Sequence, residues 1–261
     1  MSQALKSSAI NPFLFMKIKQ LCFVSGVALA TLATAGAAQA ALVVVPPGLN
    51  PGDQYRLVFV TDGTRNAQST DINDYNTFVT NQVTGSPLAT ALTTAGFNLG
   101  TIQWKAIGST PTVAARDNTG TNPSSTGVPI YLIDGNRVAN NNADLWDGSI
   151  LTSIDSTPQE SGGFGFVWSG TFDDGTTESG LGSNVGGSNV GFIGAVSAWI
   201  NESNQGGSEV YPFYGISTVL TVPSSDPPVS VPEPSSLLGC ITLGGLMLGG
   251  AVRLTGGGSD T

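Results

Sequence analysis

The chain has 261 residues, a formal net charge of −9 and no histidine. Without histidine it cannot form a Ser-His-Asp or Cys-His nucleophilic site or use the most common zinc ligand. Nine Lys and Arg residues stand against 18 Asp and Glu. We therefore expect no nucleic-acid partner, because phosphate binding needs clustered basic side chains.

Residues 1–40 have the pattern of a secretory signal peptide. Lys17 and Lys19 precede an apolar run from 21 to 32, and small residues then lead to Ala38-Gln39-Ala40. The apolar run is shorter than the about 20 residues that a membrane-spanning helix needs. We predict export, with cleavage after Ala40.

The exported part, residues 41–222, has the length of one domain with its own core. Cys22 lies in the signal segment and Cys240 in an apolar run near the end of the chain. The domain therefore contains no disulfide, although its compartment would permit one.

A strand followed by two amphipathic helices is predicted for the first part of this domain. Residues 53–61 are rich in strand-forming side chains. The next helix is capped by Ser69, Thr70 or Asp71, and its apolar residues recur at helical spacing: Ile72, Tyr75, Phe78, Val79 and Val83. The second helix spans 87–95 and stops at Gly96.

The rest of the domain reads as β-structure joined by polar loops, which makes the class α+β. Candidate strands are 102–107, 129–133, 136–139, 165–172 and 211–222, and Asp134-Gly135 predicts a hairpin between the second and third. Gly162 to Gly194 is predicted to be loops crossing a packed domain. Within it, Gly-Ser-Asn-Val-Gly occurs at 182–186 and again at 187–191, which we interpret as a loop duplication.

The end of the chain combines a linker with an apolar segment. Residues 223–231 are rich in proline and serine, which favours an extended linker. The run from Leu237 to Val252 is uncharged and just long enough to span a bilayer as a C-terminal hydrophobic helix.

Pro232-Glu233-Pro234, followed by this apolar segment and Arg253, resembles the PEP-CTERM sorting signal of exported bacterial proteins, here residues 232–261. The resemblance implies recognition by an exosortase-type membrane protease, with transient anchoring in the inner membrane. The family pattern ends in a cluster of Arg or Lys, whereas this chain has Arg253 alone.

A second resemblance rests on the order of short motifs in the domain. These are Trp104-Lys-Ala-Ile-Gly-Ser, Ala115-Arg-Asp117, Pro129 to Gly135, Ala143 to Gly148, and Val167-Trp-Ser-Gly-Thr171 with Asp174-Gly-Thr176. Together they are similar to the endostatin-like branch of the C-type-lectin-like fold, which implies early helices and irregular antiparallel β-structure. The disulfides common in that fold are missing here.

The segment from Asn140 to Gly148 is the candidate metal site. Its oxygen-bearing side chains, Asn141, Asn142, Asp144 and Asp147, suit calcium, which takes six to eight oxygen ligands. The alternative is a hydrogen-bonded Asx loop without metal. Trp146, in the same segment, is either a core residue or a surface on which a sugar stacks. Trp104, Trp168 and Trp199 are predicted to be core anchors.

Two catalytic arrangements are compatible with a chain without histidine. One is a carboxylate pair acting on a glycoside, with candidates Asp144, Asp147, Asp173, Asp174 and Glu160. The other pairs a serine with Lys105, the only lysine of the domain. Turn-forming aspartates and a surface lysine are the simpler interpretations of the same residues.

We therefore expect an exported surface or extracellular-matrix protein, with recognition or structure as its function and not catalysis. An extracellular polysaccharide is the expected ligand class and calcium the one candidate cofactor. The alternative is a carboxylate-dependent glycan-processing enzyme.

Overall fold

The structure is a computed structural model that describes residues 42–183 and 186–224. The signal peptide, the PEP-CTERM signal, the C-terminal helix and all but the first two linker residues lie outside these ranges and stay predictions. In the part of the chain that is described, no helix is long and apolar enough to cross a membrane.

An early strand, two helices and then mostly strands follow one another as the sequence predicts. The helices of the described residues are α1 Ile72–Val83, α2 Pro87–Thr94, α3 Ala115–Asn118 and α4 Asn142–Leu145. The strands are β1 Gln54–Val60, β2 Trp104–Ala106, β3 Ile130–Leu132, β4 Arg137–Ala139, β5 Gly165–Trp168, β6 Ser188–Ile193, β7 Ser203–Gln205, β8 Tyr214–Ser217 and β9 Leu220–Thr221. Among these, α3, α4, β6 and β7 are elements that the sequence does not predict.

Two sheets organise these strands. The larger has the order β2-β8-β1-β3-β4, with β9 added to the start of β1, and the smaller has the order β5-β6-β7. Only the β1–β3 pairing is parallel among the strand pairs of the described residues. The domain is therefore mixed α/β with sheets that are mainly antiparallel, which agrees with the prediction of helices combined with antiparallel strands.

The central strand β1 separates two halves of the core because successive side chains of a strand point to opposite faces. Tyr55, Leu57 and Phe59 pack on one side with α1 and α2. Val58 and Val60 pack on the other side, in a cluster that contains Trp146 and Trp199. Trp104, Trp168 and Trp199 are at most 5% exposed, so the prediction that they are core anchors is confirmed.

The ends of α1 and α2 follow the capping signals of the sequence. The Asp71 side chain accepts a hydrogen bond from the amide of Asn73 at the start of α1. Ser86 caps α2 in the same way, and Pro87 occupies its first turn. Gly96 follows α2 with φ +90°, a conformation that favours glycine.

Three predicted strands and loops differ from the structure. The strand predicted at 165–172 ends at Trp168, and that at 211–222 is divided into β8 and β9. The loop prediction is wrong for the second pentapeptide copy, 187–191, because β6 lies in the middle of the smaller sheet. Gly191 is needed there, since a methyl group at its Cα would overlap the carbonyl of Trp199. Close packing, and not a turn, explains this glycine.

Both described ends of the chain lie beside α2. Leu42 and Val44 line a groove together with Ala91 and Ala95 of that segment. At the end of the helix, a Cβ added to Gly96 would lie 3.5 Å from the Cβ of Pro223. The chain therefore enters and leaves the domain at the same helix.

Candidate functional site

The predicted metal-binding segment forms the short helix α4 and its flanking turns. Asn141 caps α4, since its Oδ1 accepts a hydrogen bond of 3.0 Å from the Asp144 amide. The Oδ2 of Asp144 accepts two hydrogen bonds from Asn140, at 2.6 Å from the amide and 3.0 Å from Nδ2. Asp147 accepts from the amide of Ser149 at 3.2 Å. These contacts are those of the Asx-loop alternative.

Asn142, the fourth candidate ligand, points into the protein. It is 2% exposed, and its Nδ2 donates to Ser125 Oγ at 2.9 Å and to Asn122 O at 3.3 Å. Its Oδ1 has no hydrogen-bond partner and lies against Gly127, where a side chain would overlap it. Asn142 therefore anchors α4 to the preceding loop.

Calcium binding stays a prediction. In the ranges 42–183 and 186–224, no group of three or more Asp, Glu, His or Cys side chains is arranged to hold a metal ion. A calcium site at α4 would depend on Asp144 and Asp147 together with amide and backbone oxygens. Trp146, by contrast, is a core residue, 5% exposed and bonded through Nε1 to Thr121.

The remaining catalytic candidates lie in three different places, namely two turns and strand β2. Asp173 and Asp174 lie in the turn at 171–177, where Gly175 packs against Trp146 and Arg116. Burial, followed by the charge of Asp174, raises the pKa of Asp173. Partial burial would raise the pKa of Asp174, but hydrogen bonds from Thr176 and the charge of Arg116 outweigh it, and this pKa is lowered.

Glu160 and Lys105 line two different grooves. Glu160 lines the groove beside α2, together with Leu42 and Pro87. Lys105 lines another between α1 and β2, among hydroxyl and amide side chains that include Asn73, Thr77 and Asn81. Neither groove contains both residues.

The most exposed large apolar side chain in the described residues belongs to Phe164, at 85%. It stands at the mouth of a cleft of about 210 Å³ between the end of β1, the turn at 156–162 and the smaller sheet. The polar side chains of the cleft, in the described residues, are Thr61, Asp62, Thr64, Thr157 and Ser161. We call this the Phe164 cleft.

The carboxylate of Asp62 is fixed by the turn at 156–162. Its Oδ1 accepts from Ser161 Oγ at 2.8 Å, and its Oδ2 accepts from the Gln159 amide at 3.3 Å. Each oxygen can still accept a further bond from a ligand. Thr64, which also lines the cleft, is exposed. The cleft therefore presents a positioned carboxylate and hydroxyl groups.

This same turn contains the one non-glycine residue of the described chain with positive φ, Glu160 at φ 61°. Such a conformation is costly, and it is found disproportionately at functional sites. The amide of Leu88 donates to Pro158 O at 3.2 Å, which ties the turn to α2. The turn that forms one wall of the cleft thus contains a strained residue and is hydrogen-bonded both to Asp62 and to α2.

Phe164 belongs to a row of aromatic rings along the smaller sheet. Its centroid lies 5.2 Å from that of Phe192, with the ring planes at 86°. Phe192 in turn meets Phe166 at 87°, and Phe166 meets Tyr211 at 74°. Successive rings are nearly perpendicular, so they form corners and not one flat platform.

Sequence reasoning did not identify this cleft. Residues 162–164 are predicted as loop and Gly165 as the start of a strand, although glycines on both sides of Phe164 could have indicated an exposed aromatic side chain. Asp62 could not be connected with it, because 99 positions separate Asp62 from Ser161. No family model and no curated protein matches the chain.

Proposed function

We propose that this chain is an exported cell-surface or extracellular-matrix protein whose domain recognises an extracellular polysaccharide or has a structural role in the matrix. Export rests on the signal-peptide pattern of residues 1–40, and sorting rests on Pro232-Glu233-Pro234 and Arg253. The exosortase-type membrane protease is the partner that this signal would require.

We also propose that the domain has the endostatin-like form of the C-type-lectin-like fold. It is supported by the two early helices, the later antiparallel strands and the burial of Trp104, Trp146 and Trp168 at the resembling motifs. Packing replaces the disulfides usual in that fold.

Recognition is supported above all by the exposure of Phe164 beside a cleft lined by a carboxylate and hydroxyl groups. A free aromatic face next to polar groups suits a sugar ring, whose C–H groups stack while its hydroxyls form hydrogen bonds. A large apolar side chain left in water contributes nothing to folding, so the exposure of Phe164 favours a role in binding.

A glycan array probed with the full chain, with calcium and with chelator, tests this proposal. We expect binding to at least one saccharide class that a Phe164→Ala variant loses. Binding to no saccharide would contradict recognition and leave a structural role. Release of reducing sugars from a bound glycan would instead favour the alternative of a carboxylate-dependent glycan-processing enzyme.

A further inference from the structure

We infer that the Phe164 cleft selects polysaccharides carrying free, protonated amino groups; this inference rests on the proposed function and names its ligand class. It is drawn from the charge of the cleft, its exposed aromatic side chain and the bonding of Asp62.

The charges of the domain favour a cationic ligand. Between residues 42 and 224 the sequence has 15 Asp and Glu against five Lys and Arg. Within the described residues no basic side chain lines the cleft. Its nearest basic neighbour in sequence, Arg65, is occupied elsewhere, with its guanidinium 4.5 Å from the Tyr75 ring centroid. An acidic glycan would be repelled, whereas an ammonium group would be attracted.

The aromatic ring of the cleft suits a cation as well. Phe164 is 85% exposed and is the aromatic side chain that lines the cleft in the described residues, whereas Phe192, which it contacts edge to face, does not line it. Aromatic faces carry partial negative charge and attract ammonium groups within about 6 Å of the centroid.

Asp62 supplies the counter-charge. Its two oxygens are positioned by Ser161 and Gln159 and can each accept another hydrogen bond. An ammonium group donates three, and charge-assisted hydrogen bonds are about twice as strong as neutral ones. The exposed Thr64 is then available to a sugar hydroxyl, whereas the Ser161 hydroxyl already donates to Asp62 and only helps to hold it.

The test compares three oligosaccharides of equal length by calorimetric titration of the full chain. They consist of glucosamine, N-acetylglucosamine and galacturonic acid, which are cationic, neutral and anionic. We expect the glucosamine oligomer to bind at least about tenfold more tightly than the N-acetylated one, and the anionic oligomer not to bind. Added salt should weaken the binding.

Two variants and two matched controls locate the site. Phe164→Leu keeps an apolar side chain but removes the aromatic face, and should weaken glucosamine binding about fivefold. Asp62→Asn should weaken it about tenfold. Phe172→Ala, at another exposed phenylalanine, and Asp134→Asn, in the β3–β4 turn, should leave it unchanged. Phe164 lies outside the turn at 156–162 to which Asp62 is bonded, so the effect of Phe164→Leu on binding does not depend on the conformation of that turn.

The possible failures can be told apart. If N-acetylglucosamine oligomers bind as tightly, and both variants reduce that binding, saccharide recognition stands and the selection for amines is wrong. If neither variant affects glucosamine binding, the site is wrong. If a lysine-containing peptide binds and no oligosaccharide does, the cleft is a cation site on a protein-binding surface, and the polysaccharide inference is overturned.

Discussion

At the scale of single residues, Arg56 shows how a charged side chain is accommodated in the core. It is 9% exposed and donates to three carbonyls: Thr119 at 3.1 Å, Ser217 at 2.8 Å and Gly120 at 3.2 Å. Burial lowers its pKa. The guanidinium thereby joins β1, β8 and the end of α3.

Replacing Arg56 by Met keeps a long side chain but leaves those three carbonyls without a donor. We expect the free energy of unfolding to fall by about 3 kcal/mol, measured by urea denaturation. Arg137→Met, at an exposed arginine on β4, is the control and should cost about 1 kcal/mol or less. Equal denaturation midpoints for the two variants would contradict this role of Arg56.

Gly191 is the second residue whose environment fixes its identity. A Cβ there would overlap the Trp199 carbonyl, so Gly191→Ala must displace the segment that covers β6. We expect destabilisation of about 3 kcal/mol, read from thermal or urea unfolding. Gly206→Ala, where nothing lies within 4 Å of an added Cβ, should change stability little. A harmless Gly191→Ala would mean that this packing is looser than the structure has it.

At the scale of elements, the outer edge of β2 is closed by side chains in place of another strand. Asn76 Oδ1 accepts from the Ala106 amide at 2.9 Å, and Asn118 Nδ2 donates to the Ala106 carbonyl at 2.8 Å. The side-chain amides of Asn76 and Asn118 also bond to each other, each donating to the other at 2.9 Å. This protects an edge that could otherwise pair with another chain.

Asn76→Ala should leave the Ala106 amide unpaired and lower stability by about 2 kcal/mol. Hydrogen exchange at Ala106 should accelerate as well, because its amide loses its acceptor. Asn73→Ala, on the exposed side of the same helix, is the matched control. Unchanged exchange at Ala106 in Asn76→Ala would show that the edge is protected by other means.

The α4 segment permits a direct test of calcium binding. If Asp144 and Asp147 share an ion, millimolar calcium should raise the melting temperature relative to chelator. Asp144→Asn with Asp147→Asn should abolish that rise while keeping most turn hydrogen bonds. If calcium shifts neither protein, or both equally, the segment acts only as scaffold.

Elements with a strong local signal were predictable, and those defined by distant contacts were not. The cap at Asp71, the spacing from Ile72 to Val83 and the Asp134-Gly135 turn depend on neighbouring residues, and all three are confirmed. The strand β6 was hidden because Gly191 is required by the carbonyl of Trp199. The Phe164 cleft was hidden because Asp62 and Ser161 meet only in the folded chain.

At the scale of the whole molecule, the two halves of the core contain the large apolar side chains needed for independent folding. We expect residues 42–224, expressed alone, to unfold cooperatively in urea without metal or reducing-agent dependence. Trp168→Ala should lower its stability by about 3 to 5 kcal/mol, since this tryptophan is fully buried. A broad, non-cooperative transition of the wild-type fragment would show that flanking residues are needed.

The meeting of both described ends at α2 has a topological consequence. Leu42 and Pro223 lie beside the same helix, so a peptide could join them along that helix. A new pair of ends could then be opened in the exposed segment at 208–210, between β7 and β8. Proteins whose ends lie close together tolerate such circular permutation. The order of the strands in space would be kept while their order in the gene is rotated.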